Sequence, residues 1–137
     1  MASAMPAFDR NDLGKGSLSQ YKWGLAPNNG RVRIRLAGSN PHQEELASLR
    51  DSTGGMLETA ITRRNQQQDA EDAPIEVRLF TGSRVSGPVG WVPRGLEAVI
   101  DETLSRLDIE GRPTRIPAEI VRKGTVLRVE LRMGETK

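Results

Sequence analysis

The sequence predicts a mainly β, α+β fold, a small six-stranded β-barrel with two peripheral α-helices, and three observations carry that expectation. Its 137 residues suffice for one domain rather than two. Six short runs alternate apolar with polar residues, the pattern of half-buried strands. Two stretches instead repeat apolar residues at spacings of three and four, as amphipathic helices do. Six strands are too many for one open sheet under a single helix layer, whereas a partly closed barrel hides the sheet edges.

Residues 1–30 are rich in Ala, Ser, Gly, Asn and Pro without periodicity, so they are expected as a flexible N-terminal arm. Tyr21 and Trp23 flank Lys22 there, and aromatics in a polar segment either dock onto the folded body, the preferred reading, or meet a partner. The barrel domain is expected over 31–132, with a short tail at 133–137.

Residues 31–36 open the domain as a strand, with Val32, Ile34 and Leu36 on one face and Arg31, Arg33 and Arg35 on the other. Asn40, Pro41 and Gln43 then supply a cap, a first-turn proline and a glutamine three residues on, which starts a helix burying Leu46 and Leu49. Gly54 and Gly55 end it and release a second strand over 56–63. The polar, acidic stretch 65–72 reads as a loop, 75–80 as the third strand, 81–87 as a turn and 88–92 as the fourth strand. Pro93 opens the clearest helix, in which Leu96, Val99, Ile100, Leu104 and Leu107 share a face. Two last strands, 116–121 and 125–132, flank a hairpin connection at Arg122, Lys123 and Gly124 longer than the ideal two residues.

Composition narrows the chemistry. There is no Cys and one His, which removes disulfides, thiolate nucleophiles and cysteine-based zinc sites. His42 lacks a second imidazole at ligand spacing, so a residue at a capped helix start is preferred over a metal ligand. Asp69, Glu71 and Asp72 lack the spacing of a calcium loop, and Gly14-Lys15-Gly16-Ser17 lacks the strand and spaced glycine of a phosphate loop. No catalytic residue, metal or cofactor is therefore expected. No apolar run of about 18 residues or apolar signal core is present, and the expectation is a cytoplasmic protein with no membrane contact.

The formal charge of +2 excludes a polycation that coats nucleic acid by charge alone. The distribution is more telling. Residues 1–35 hold six Lys/Arg against two Asp/Glu, whereas 36–76 hold three against eight. Arg31, Arg33 and Arg35 share a strand face, and Arg63 and Arg64 end the next strand. Neighbouring placement gathers them into one phosphate-binding patch; the alternative is a solvated face paired with Glu58 or Glu76.

Three segments, in order over about 31–132, are similar to motifs of one family. Arg63-Arg64-Asn65-Gln66-Gln67-Gln68-Asp69 before Ile75-Glu76-Val77 looks like an Arg-x-Pro-x-Asn-x-Tyr-Asp segment leading into a strand. Val89-Gly90-Trp91-Val92-Pro93-Arg94 is similar to a Val-Gly-Tyr-Leu-Pro-Arg junction. Gly38 to Gln43 with Leu46 and Leu49 looks like a Gly-Glu-x-His-Tyr-Gln segment with spaced leucines. The chain thus resembles the HIRAN domain, a small β-barrel module found fused to helicase-like ATPases and also alone in bacteria.

The resemblance implies a non-catalytic module that binds single-stranded DNA at its 3′ end. Asn65 and Asp69 match the family's base-contacting amide and hydroxyl-binding carboxylate, and Arg64 its arginine. Gln68 replaces the stacking tyrosine, and Arg35 stands at the first-strand aromatic position. Trp91 lies inside a matching motif, where covering the barrel is preferred over touching a base. The expected site is Arg33, Arg35, Arg63 and Arg64 on phosphates, Asn65 and Asp69 lining a pocket, and Trp91 beside them. The alternative is a protein-interaction adaptor that kept the barrel and meets a phage or host factor through Tyr21 and Trp23 or through residues 69–72. A weaker third reading is hydrolysis at Asp69, Glu71 and Asp72 with a divalent cation.

Overall fold

The computed structural model describes residues 8–22 and 25–137, so Trp23 lies outside the described residues. It is an α+β fold, an antiparallel sheet accompanied by three helices among the described residues. The strands are β1 (Ile34–Arg35), β2 (Met56–Ala60), β3 (Glu76–Thr81), β4 (Arg84–Val85), β5 (Gly90–Trp91), β6 (Pro117–Lys123) and β7 (Val126–Leu131). The helices are α1 (Gln43–Thr53), α2 (Gln66–Ala70) and α3 (Glu97–Ile109). Hydrogen-bonded neighbours run β1-β7-β6-β2-β3-β4, and β5 pairs with β3. Just beyond β1, Ala37 exchanges two backbone hydrogen bonds with Trp91 of β5, at 2.8 and 2.7 Å.

Alternation works as expected in the core. Val32, Ile34 and Leu36 are buried while Arg33 and Arg35 face outward, and β7 and β6 place Leu131, Val129, Ile120 and Ala118 against them. Helix α3 seals this core with Val99, Ile100, Leu104 and Leu107, and α1 adds Leu46 and Leu49. Removing this apolar surface from water is the main stabilising term, at about 25 cal/mol per Å². The amide of Gln43 also acts as a short strand neighbour to β7, donating to Leu127 O at 2.9 Å and accepting from Leu127 N at 2.8 Å. No described helix is long and apolar enough to cross a membrane.

Several expectations are corrected. The strand expected over 31–36 keeps its alternation, but only Ile34–Arg35 pairs as a ladder, because β7 ends at Leu131 opposite Ile34 and the chain then turns through Met133–Thr136. The segment expected as a turn at 81–87 holds a seventh strand. Gly82, at φ +68°, takes the first central position of a two-residue turn and folds β4 back on β3. The β6–β7 connection is also a tight two-residue turn, Gly124-Thr125, since the register runs out to Lys123 opposite Val126. The expected loop 65–72 contains α2, a third helix, nucleated by a capping box between Asn65 and Gln68. Finally, α3 begins at Glu97 rather than at Pro93. Gly95 holds φ +96° there, and its N–H donates to Glu97 Oε1 at 2.8 Å, which delays the helical backbone.

The described part of residues 8–30 lies against the sheet. Lys15 and Arg35 exchange backbone bonds of 3.0 and 2.8 Å, and Asp12 and Tyr21 are buried. At the other end Met133 and Thr136 are buried, and Arg106 donates to the Thr136 carbonyl.

Candidate functional site

The outward face of β1, β7 and β6 carries an ordered row of charge. Register sets Arg35 opposite Glu130 and Glu130 opposite Glu119, so two carboxylates face each other across β6 and β7. Like charges so placed are destabilising. Arg33 offsets this, because its Nη1 donates to both Glu119 and Glu130 at 3.0 Å. The bond to Glu130 is the chief reason its guanidinium is held even more firmly protonated than usual; partial burial works against this and Glu119 adds to it. Arg35 lies 3.5 Å from Glu130, and Lys123 lies 3.9 Å from the same carboxylate.

This row forms the floor of a cleft of about 530 Å³, walled by the segment 15–20 and reached by Lys15, Arg31, Arg33, Arg35 and Lys123. Five cations surround one lining carboxylate, Glu130; with Glu119 behind Arg33 counted as well, the excess is three positive charges. Lys15 and Arg31 are exposed and form no ion pair among the described residues. The Nε of Arg35 is buried without an acceptor among the described residues, a costly arrangement for a donor.

Arg63, Arg64, Asn65 and Asp69 line a different concavity, of about 380 Å³, together with Asp101 and Glu102 of α3. It shares no residue with the cleft of Arg33 and Arg35, so the single patch expected from the sequence is not assembled. Arg64 is only 5% exposed and is committed to the fold. It donates to Asp101 at 2.8 Å, to Ala73 O at 2.9 Å and to Asp69 at 3.2 Å. Burial alone would ease loss of its proton, but the Asp101 hydrogen bond and the surrounding carboxylates outweigh this and raise its pKa. Asn65 spends its side chain capping α2, accepting from Gln68 N at 2.8 Å. Asp69, exposed, answers Arg64. Arg63 is exposed and makes no ion pair among the described residues.

Trp91 is half-buried, pairs with Glu76 across β3 and β5, and lines a third concavity with Phe8. Asp72, read as part of a free acidic loop, binds Arg94 at 2.8 Å. Sequence reading did not assign Lys15 or Lys123 to a site. The usable signal for Lys123 was alternation along β6, which sets it on the same outward face as Glu119, from where its side chain comes within 3.9 Å of Glu130. Compared with known proteins, the chain matches no family model, no curated protein and no solved structure.

Proposed function

We propose that the chain is a non-catalytic, cytoplasmic module that binds single-stranded DNA along the cleft of Lys15, Arg31, Arg33, Arg35 and Lys123. The observation that carries the reading is the excess of cations around that cleft, held by a β1–β7–β6 surface whose own carboxylates are already answered by Arg33. Guanidinium and ammonium groups so spaced suit a run of phosphates, and the lack of an aromatic ring among the described lining residues favours backbone contact over base readout. The motif order shared with the HIRAN domain supports the same ligand class, with the contact moved from Arg64, Asn65 and Asp69 to the cleft. We further read the sheet as a six-stranded barrel. The Ala37–Trp91 bonds supply the link from β5 back to β1 that a circuit β1-β7-β6-β2-β3-β5 requires, leaving β4 as an appended hairpin arm.

The test is fluorescence anisotropy with a labelled oligothymidylate over a range of salt. Each phosphate contact contributes a slope of about −0.7 in log affinity against log salt for a single strand. Five contacts therefore give about −3.5, and Arg31→Ala with Lys123→Ala flattens it by about 1.4. Oligonucleotides with free and blocked 3′ ends are expected to bind alike. A strong preference for the free end would return the contact to the Asn65 and Asp69 concavity, and no binding at low salt would end the proposal. A second reading, a protein-interaction adaptor, is favoured by the separate pocket of Phe8 and Trp91, which has no Lys or Arg in its lining.

A further inference from the structure

The concavity beside Trp91, about 500 Å³, has the opposite character to the basic cleft and shares no lining residue with it. Two aromatic rings meet over Gly38. A Cβ there would lie 2.6 Å from Phe8 Cε1 and 3.0 Å from Trp91 Cδ1, and its backbone holds φ +75°, so glycine lets both rings share one wall. Around them stand three carboxylates. Asp12 is neutralised from behind by Arg128 and by the N–H groups of Ser39 and Asn40, so it adds no net charge. Asp9 is exposed and accepts one bond, from Asn40 Nδ2 at 2.9 Å. Glu76 sits directly across the ladder from Trp91, which brings its carboxylate within reach of the ring face. Its neighbour Arg78 forms an ion pair with it at 3.6 Å, beyond hydrogen-bond distance and open to solvent, so a cation in the pocket competes with a weak partner. The adjoining Asn40 Oδ1 is buried with no donor among the described residues.

Aromatic faces attract cations through the ring quadrupole, and carboxylates at the rim add counter-charge, whereas a phosphate is repelled by both. We propose that this pocket takes a single organic cation, the guanidinium or ammonium of a basic peptide segment, stacked on Phe8 and Trp91 and held by Asp9 and Glu76. A protein partner would then be captured on one surface and single-stranded DNA on another, so this inference goes beyond the DNA-binding reading and stands or falls separately from it.

The chain has two Trp, so Trp23→Phe leaves Trp91 as the only indole reporter. The full chain carrying that substitution is titrated with acetyl-Gly-Arg-Gly-amide, its Lys counterpart, its neutral citrulline counterpart and thymidine monophosphate, following Trp91 emission. Both cationic peptides are expected to give saturable changes, with citrulline about tenfold weaker or more. Asp9→Asn combined with Glu76→Gln should weaken the Arg peptide about tenfold, while Arg31→Ala with Lys123→Ala leaves its titration unchanged. The citrulline comparison needs no further variant and so does not depend on altered folding. Equal binding of the citrulline peptide, binding of the nucleotide in place of the cations, or no response to any peptide would overturn the proposal.

Discussion

Asp12 and Arg128, 116 residues apart in the chain, form a buried ion pair at 2.6 Å, with side chains 2% and 5% exposed. Asp12 also accepts from Ser39 N and Asn40 N at 2.9 Å, so one carboxylate ties the N-terminal segment to β7 and to the turn before α1. The pair is well satisfied, and removing one partner strands the other charge. Arg128→Met is expected to cost about 3–5 kcal/mol in urea unfolding, and Asp12→Asn added to it should recover part of the loss. A loss below about 1 kcal/mol for the single change would show that water reaches the pair.

Tyr21 is the chain's only tyrosine, and its buried hydroxyl has no partner among the described residues. Burial pushes its pKa up to about 12. The unfolded phenol ionises near about 10, so above that pH the unfolded state loses a proton that the folded state keeps. Stability contributed by this group is thus intact below about pH 10 and declines between about 10 and about 12, by up to about 2 kcal/mol. Absorbance at the phenolate band reports this residue alone and should titrate near 12 in the native chain and near 10 in urea. Tyr21→Phe should remove that decline at little cost near neutral pH, since the lost hydroxyl bonds to nothing. Equal native and denatured titrations would show the ring to be in water.

Arg33 separates Glu119 from Glu130, and its removal leaves those carboxylates opposed. Arg33→Met is expected to lower stability by about 1 kcal/mol near neutral pH, a modest figure because the side chain is 38% exposed. The deficit should shrink in a Glu119→Gln background, because a neutral amide does not repel Glu130. A deficit of the same size in both backgrounds would assign the loss to packing of the arginine stem instead.

The strands were legible where burial is one-sided. Val32, Ile34 and Leu36 alternate with arginines because one face meets the core, and α3 repeats its apolar residues for the same reason. Short polar elements were less so. The capping box of α2 lies in plain view at Asn65 and Gln68, but composition outweighed it, and β4 depends on a single glycine turn. The site was harder because adjacent arginines carry the same local signal. Arg63 is free in solvent and Arg64 is locked, and the difference comes from Asp101 on a helix 37 residues further on. Lys15 likewise joins the cleft only through its long-range bridge to Arg35.

Gly90 marks the closest backbone approach between β5 and the chain after β1. A Cβ there would stand 2.8 Å from Ala37 O and 3.0 Å from Ser39 Oγ, both held by their own hydrogen bonds to Trp91 N and Val89 O. Gly90→Ala should therefore push β5 away from Ala37, costing about 2 kcal/mol or more. If these two bonds close a barrel, the Ala37 and Trp91 amides should exchange with solvent as slowly as the Val121 and Arg128 amides of the central β6–β7 ladder. In Gly90→Ala the first two should speed up while the ladder stays protected. Rapid exchange at Ala37 and Trp91 in the unaltered chain would mean that the sheet opens at this seam and that β1 is a true edge.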